Sequence, residues 1–359
     1  MNILFLIKET LNLNTSKSQT RHIMIPNQWY AILDSKEIRK KNKPIGVTRL
    51  GENLVLWRDS AGEVHCLYDR CCHRGAALST GKIKENNIQC PFHGLEYDGT
   101  GKCTLIPANS SIAKIPKFFK VHAYKVQERH GFIWIWWGKS QDTYPPLPWF
   151  EDVNRDFHYY TIRDHWKAHY SRVIENQLDV MHLPFVHHNT IGRGNKTVVE
   201  GPIVEISDNY EKVWFMNRRE NGKLPIKYSE LKKPPYPPLL HFKFPHIWQN
   251  KLSSDGRIIV AFTPIDDSNT MVYTRFIQKF VRIPILKQIA SFIGKISSII
   301  ILHQDRRVVE TQTPKISQLK SEEKLIPGDL PIIHYRRRRN ELKNELKNNL
   351  KDISVADKL

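Results

Sequence analysis

Apolar and β-branched residues between positions 26 and 140 fall in short runs, "ENLVLWRD", "EVHCLYD", "NIQC", "GLEYD" and "HGFIWIWWG", separated at short intervals by Gly, Asn and Asp turn signals. That pattern predicts a small antiparallel β domain. In its last run Phe132, Trp134 and Trp136 alternate with Ile133, Ile135 and Trp137, so both faces are apolar and the strand is expected to be central or sandwiched. The next stretch, "DTYPPLPWF" at 142–150, is dense in proline and reads as a stiff extended linker. From Asp164, "DHWKAHYSRVIENQLDVMH" reads as a helix that stops near Pro184. Residues 198–281 read as strand-rich, interrupted by the proline-rich loop "LKKPPYPPLL". The segment "IPILKQIASFIGKISSIIILHQDRRVVETQTP" then reads as mostly helical, ended by Pro314.

These patterns divide the chain into an N-terminal extension (1–25), an all-β domain (26–141), a linker (142–150), an α+β domain (151–330) and a basic tail (331–359). A chain of 359 residues exceeds the usual single-domain size, which agrees with two cores. No repeat period is evident, and no uncharged apolar run reaches the roughly 20 residues of a spanning helix. The N-terminal apolar run, Ile3 to Ile7, is too short for a signal-peptide core and no positive region precedes it. Five cysteines, an odd number with two at metal-ligand spacing, suit a reducing compartment better than a disulfide scaffold. A cytoplasmic location is therefore expected.

The net charge of +19 raises the question of nucleic acid, anionic lipid or an acidic partner. Its densest basic run, "RRRRNELKNELKNNLK" at 336–351, mixes lysines with glutamates around Leu342, Leu346 and Leu350 and reads as a short, solvated helix. No aromatic or recognition motif accompanies it, so nucleic acid is not an expected partner.

The chemistry begins at "DRCCHRGAALSTGKIKENNIQCPFHG", residues 69–94, where Cys71 and His73 stand as CxH and Cys90 and His93 as CxxH. Structural zinc sites usually present like pairs such as CxxC, whereas each short loop here delivers one sulfur and one nitrogen. A two-iron cluster with one iron bound by sulfur and the other by nitrogen suits such loops, and that division is the one of a Rieske centre. Farther on, "ENQLDVMHLPFVHH" at 175–188 holds Asp179, His182 and His187. On a helix Asp179 and His182, three apart, share a face, and Pro184 ends the helix so that His187 folds back towards His182. His188 is the alternative to His187. A 2-His-1-carboxylate iron site also needs a carboxylate, with the remaining positions open to dioxygen.

"CCHRGAALSTG" and "CPFHG" look like the Rieske loops of aromatic-ring-hydroxylating oxygenases, and residues 27 to about 313 resemble the oxygenase component of Rieske-type non-haem iron oxygenases. The single-subunit kind, such as vanillate demethylase oxygenase, phthalate dioxygenase and pheophorbide oxygenase, is nearest. The resemblance implies Cys71 and Cys90 on the inner iron and His73 and His93 on the outer one. It departs at Cys72, where proline is usual. Ala76 and Phe92 stand where high-potential respiratory Rieske proteins carry a disulfide, which implies a lower-potential cluster. Cys66 and Cys103 read as core residues.

"ILHQDRRVVETQ" resembles the family's carboxylate-bearing helix and supplies Asp305 as the third ligand of an Fe2+, with Glu310 as its rival. The apolar stripe Ile285, Leu286, Ile289, Phe292, Ile293, Ile296, Ile299 and Ile300 complicates this, because an unbroken helix would point Asp305 away from it. Either the helix is interrupted after Ile300 or the stripe packs elsewhere. Core packing is its expected use, and a basic amphipathic helix on a membrane, with Lys287 and Lys295 at the head groups, is the lesser reading.

The resemblance further implies a helix-grip catalytic domain and a homotrimer, in which Asp179 bridges His93 of a neighbouring chain to His182. Asn176 is a candidate pocket or hydrogen-bonding residue. No GxGxxG segment is evident, so electrons from NAD(P)H are expected through a separate reductase or ferredoxin, with O2 and a small aromatic or heterocyclic molecule as substrates. Two rivals remain: a Rieske electron carrier whose C-terminal domain only binds a partner, and a zinc-containing binding module. Trp214, Phe242, Phe244 and Trp248 show no pattern that separates pocket from core.

Overall fold

A computed structural model describes residues 24–38, 43–153, 157–207, 209–226, 229–232, 237–279 and 284–356, with the backbone alone for 284–293 and 346–356. The expected extension, up to residue 23, lies outside the described residues, as do 233–236 of the proline-rich loop and the side chains of Ile285, Leu286, Lys287, Ile289, Phe292 and Ile293.

The first half builds three small antiparallel sheets. β1 (Gln28–Asp34), β10 (Phe132–Trp137) and β9 (Val126–Arg129) form one, in the order β1-β10-β9. β2 (Ile45–Arg49), β3 (Glu52–Arg58) and β4 (Val64–Tyr68) form the second. The third is a four-stranded meander of β5 (Lys82–Lys84), β6 (Asn87–Gln89), β7 (Glu96–Tyr97) and β8 (Cys103–Leu105). The second half is a seven-stranded antiparallel sheet in the order β11-β17-β16-β15-β14-β13-β12. Its strands are β11 (His158–Trp166), β12 (Val198–Ser207), β13 (Tyr210–Arg218), β14 (Leu240–Lys243), β15 (Ile247–Lys251), β16 (Gly256–Pro264) and β17 (Thr270–Gln278). Helices α1 (Tyr170–Leu178), α2 (Leu183–Val186), α3 (Pro284–Val309) and α4 (Leu330–Ala356) accompany it. The class is the α+β one expected from the sequence.

The tryptophan-rich strand β10 is central in its sheet, and all six of its residues are buried. Ile133, Ile135 and Trp137 join the core that continues under α1 and α4, while Phe132, Trp134 and Trp136 face Ile247, Ile259, Ala261 and Tyr273 of the large sheet. Trp149 and Phe150 pack into the same junction, so the proline-rich stretch is not a free spacer but part of the seam. Its prolines fix an extended path, and its aromatic end supplies the apolar surface that holds that path in place.

Three local expectations are corrected. Residues 164–166 are the end of strand β11 rather than the start of a helix: "HYYTIRDHW" alternates in burial and pairs along its whole length with β17. Helix α1 begins only at Tyr170, where the His169 side chain accepts from the Ser171 amide, and it is over at Asp179, whose backbone is extended. Asp179 and His182 therefore do not share a helix face. Third, the expected solvated tail is α4, and Ile332, Tyr335, Arg336, Arg339 and Leu342 on it are buried. Arg336 donates to both oxygens of Glu175 on α1, at 2.8 and 2.9 Å, and Arg339 donates to the Ser317 hydroxyl at 3.0 Å. Arginines in a row look solvated in sequence, but Tyr335 and Leu342 turn the same face inward, and the buried Glu175 receives the charge of Arg336.

One buried ion pair locks the two halves together. Arg275 of β17, 1% exposed, donates to Asp34 Oδ2 at 2.9 Å, to Thr161 Oγ1 at 3.0 Å and to the carbonyls of His130 and Gly131 at 2.6 and 2.7 Å. The ring of Phe132 lies 3.4 Å from its guanidinium carbon. Burial pushes the Asp34 carboxyl up, but the Thr161 hydroxyl, the Lys36 amide and Arg275 outweigh it and hold it below its ordinary value. Replacing Asp34 by alanine leaves the guanidinium uncompensated, and we expect a loss of about 3–5 kcal/mol by chemical denaturation. The native carboxyl titrates below the unfolded value of about 3.9, so its contribution is complete above that pH and is lost as pH falls through the native value. Asp34→Asn should therefore flatten the acid limb of the stability curve, whereas an unchanged limb would assign no such role to the pair.

Candidate metal centres

The first centre is built from two turns of one design. Cys71 follows β4 and Cys90 follows β6. In the first turn the Cys71 amide donates to the Ala76 carbonyl (2.8 Å) and the Gly75 amide to the Cys71 carbonyl (3.0 Å). In the second, Cys90 and Leu95 (2.8 Å) and Gly94 and Cys90 (3.1 Å) repeat the pattern at the same offsets. Gly75 and Gly94 have φ of +77° and +72°, a region that favours glycine, and each lets its chain double back behind the cysteine.

The turns separate the ligand types by depth. Cys71 and Cys90 are buried, whereas His73 and His93 are exposed, with ring centroids 4.7 Å apart. Burial pushes the Cys90 thiol up, so the thiolate form there needs a cation beside it. Among the described residues, only His182–His187–Asp305 and Asp59–Glu63–His65 bring three or more such ligand atoms within 4.8 Å of one another. The four loop ligands do not close around one point as a single zinc would require, and a two-iron cluster suits their wider span. Tyr97 of β7 places its hydroxyl 3.0 Å from Cys71 Sγ. Cys66 and Cys103 are buried in the cores, as expected.

The second centre sits where α1, α2 and α3 meet. After α1 the Asp179 carboxylate accepts the amides of Met181 (2.6 Å) and His182 (3.2 Å), an Asx-type turn that starts the chain towards α2. Pro184 opens the one-turn helix α2, and His187 closes it, its amide donating to the Leu183 carbonyl. That single turn, rather than a continued helix, brings the two imidazoles together with centroids 5.2 Å apart. Asp305 reaches them from α3, which is unbroken from Pro284 to Val309 and pinned at its end by Arg306 on Asp164 (2.5 Å) and by Glu310, which accepts the Lys167 amide (2.8 Å).

Asp305 is 2% exposed and His187 1%. His187 Nε2 lies 3.0 Å and His182 Nε2 3.6 Å from Asp305 Oδ1, an oxygen that has no hydrogen-bond donor. The opposite ring nitrogens are taken: His187 Nδ1 donates to Gln304 Oε1 (2.8 Å) and His182 Nδ1 to the Asp179 carbonyl (3.1 Å). In its neutral form each ring, with Nδ1 protonated, turns an Nε2 lone pair towards the buried carboxylate. Three acceptors facing one point without a donor fit a bound cation, and the donor set is that of a 2-His-1-carboxylate iron site. Burial pushes the His182 imidazole down, but the carboxylates of Asp179 and Asp305 outweigh it and raise its pKa. Burial likewise pushes the Asp179 carboxyl up, and the His182 side chain overrides it downward.

The alternatives fall away from this point. His188 is exposed, with Nδ1 on the Phe185 carbonyl, and Glu310 lies beyond the helix on the Lys167 amide. The helix is unbroken, and the expected core packing of the stripe is not seen in its described part: Ile296 and Ile300 are exposed, Ile299 is only partly buried, and Leu302, Asp305 and Val309 form the buried face of the last turns. Asn176 keeps a buried Nδ2 without a partner, and it is the next residue, Gln177, whose Nε2 lies 3.4 Å from Asp305 Oδ2. Gln177 and Gln304 were not singled out from sequence, since a glutamine on a helix carries no positional signature. Trp214, Phe242, Phe244 and Trp248 are all buried.

Two family descriptions match. "Rieske [2Fe-2S] domain" matches residues 28–118, and "Vanillate O-demethylase oxygenase C-terminal domain" matches residues 166–345. The chain is 27% identical over 349 residues to the methylxanthine N1-demethylase NdmA of Pseudomonas putida, covering 92% of this chain and 91% of that protein. It is 28% identical over 235 residues to the chloroplastic protein TIC 55 of Arabidopsis thaliana, covering 64% and 41%. The solved structure of an NdmA mutant with theobromine superposes with a TM-score of 0.75 at 25% identity, over 92% of this chain and 94% of that one. The chain spans about half the length of the first curated relatives it matches.

Gln304 holds the His187 tautomer, so Gln304→Leu should leave a buried N–H without an acceptor and weaken metal retention at this centre by roughly 10–100-fold. Iron analysis of the dialysed protein checks this, with the cluster spectrum unchanged; full retention would show that the ring needs no such anchor.

Proposed function

The chain belongs to the Rieske oxygenases with a vanillate O-demethylase type of catalytic domain, and on that premise we propose that it is a terminal oxygenase component acting on a small aromatic or heterocyclic molecule. The observation that carries the proposal is the convergence of His182 Nε2, His187 Nε2 and Asp305 Oδ1 in a buried pocket, downstream of a second ligand set of two cysteines and two histidines. When bound, the 2Fe-2S cluster supplies electrons singly and the Fe2+ supplies the dioxygen chemistry. In this reading Cys71, His73, Cys90 and His93 hold the cluster, and His182, His187 and Asp305 hold the iron.

The protein's own contribution is position and exclusion of water. Gln304 and the Asp179 carbonyl fix the two imidazole tautomers, and the pinned end of α3 holds the carboxylate at their meeting point. The exposed His73 and His93 present the cluster outward, and the Asp179 side chain, 27% exposed, reaches the surface beside His182. These exposures support a homotrimer in which Asp179 links the iron of one chain to the cluster of the next. Asn176, with its unpaired amide on the helix that leads to Asp179, is the pocket residue of this reading.

The chain shows no dinucleotide-binding GxGxxG segment, so a separate reductase or ferredoxin would deliver electrons from NAD(P)H. None of the five cysteines is in a disulfide, which suits a reducing cytoplasm. No helix among the described residues is long and apolar enough to cross a membrane. The relatives support the substrate class: NdmA is described as a methylxanthine N1-demethylase, and another relative as a vanillate O-demethylase oxygenase subunit.

Metal analysis and labelled dioxygen test the reading together. An oxygenase should hold a mononuclear iron beyond its two cluster irons, and His182→Ala should lose that iron while keeping the cluster spectrum. Supplied with a surrogate reductase and a panel of aromatic acids, methyl ethers and methylated heterocycles, the intact protein should incorporate the label. Two irons alone, with no incorporation, would instead describe an electron carrier with a partner-binding C-terminal domain. Asp179→Asn should keep all three irons yet slow reoxidation of the cluster by at least tenfold; normal reoxidation would remove Asp179 from the route.

A further inference from the structure

The residue at which the first loop departs from the family pattern, Cys72, is not idle. Its sulfur lies 3.3 Å from the Tyr97 hydroxyl, the same hydroxyl that lies 3.0 Å from Cys71 Sγ. Tyr97 is fully buried, while Cys72 is exposed at the lip of the loop. One hydroxyl therefore stands between two sulfurs of adjacent residues.

The direction of the two hydrogen bonds follows from chemistry. A cysteine bound to iron is a thiolate and can only accept, so the single hydrogen of Tyr97 points at Cys71. The tyrosine oxygen then has only lone pairs left for Cys72. The Cys72 S–H is the sole hydrogen available between those atoms, and it donates to Tyr97. We infer that Cys72 is a positioning residue for the cluster, the outer member of a relay in which Cys72 S–H polarises the Tyr97 hydroxyl and so strengthens its bond to the Cys71 sulfur. The proline usual at this position has no side-chain donor and leaves the tyrosine oxygen unassisted.

The consequence is electrical rather than structural. A hydrogen bond to a ligand sulfur draws off negative charge and favours the reduced cluster. Hydrogen bonds in a chain strengthen one another by roughly 10–30% each. Removing the outer donor should therefore shift the oxidised-to-reduced equilibrium by roughly two- to threefold, which is ~18–28 mV downward at 59 mV per tenfold for one electron. No covalent change and no proton transfer is required.

The inference rests on Cys71 being a cluster ligand, and the test separates the two. In the full-length protein, the wild type must first show a Rieske-type paramagnetic resonance when reduced; its absence would overturn the cluster assignment itself. With that signal present, midpoint potentials are compared for the wild type, Cys72→Ala, Cys72→Ser, Tyr97→Phe and the Cys72→Ala/Tyr97→Phe double variant. The relay requires a lower potential in Cys72→Ala, a potential at or above wild type in Cys72→Ser, whose hydroxyl donates more strongly, and no further effect of Cys72→Ala once Tyr97 is phenylalanine. Cys72→Val, close to cysteine in volume, supplies the same comparison if the alanine variant fails to assemble its cluster. A donor-free variant with the wild-type potential overturns the relay, as does a shift of equal size in the phenylalanine background.

Discussion

Two imidazole nitrogens and a carboxylate oxygen converge on one buried point, an arrangement that a positive charge between them stabilises. Much of the catalytic half can be understood as the means of imposing it. His182 and His187 come from a turn that leaves α1 and a one-turn helix opened by proline. Asp305 comes from a helix more than a hundred residues later, and that helix is fastened to strand β11 and its following loop by Arg306 and Glu310. The large sheet gives the helices one common floor, so ligands distant in sequence share a frame.

The Rieske half is joined to this frame by a buried aromatic seam and by Arg275, whose hydrogen bonds reach both halves. Such a junction resists hinge motion, because movement would expose Trp134 and Trp149 and strand a buried guanidinium. Each cluster is therefore presented in a fixed direction. Its depth grading, sulfur inward and nitrogen outward, sets which ligands can meet another molecule.

The candidate cluster ligands stand out in the sequence because each loop is local: cysteine, histidine and turn glycine lie within a few residues, and both loops repeat the same hydrogen-bond offsets. The large sheet was legible in the β-branched and aromatic content of 198–281. Helix phase was a poorer guide. The isoleucine stripe suggested a face for α3 that its last turns do not bury, because a long helix changes neighbours along its length and Leu302, Asp305 and Val309 answer to a different one. The end of "HYYTIRDHW" reads as helix because it runs within a few residues into the true helix α1. Gln177 and Gln304 could not be found, for their roles arise only when α1 and α3 are brought side by side.

The seat of α4 carries a practical consequence. Arg336 neutralises Glu175 in the middle of α1, and Tyr335 packs against Phe242 and Phe244 of the sheet side. A chain trimmed at residue 330 because its end looks basic and lysine-rich would lose no mere appendage. It would leave Glu175 with Arg172 alone of its two arginines, inside the very helix that leads into Asp179 and His182, so any fusion tag or shortened version should leave the chain intact at least as far as Leu342.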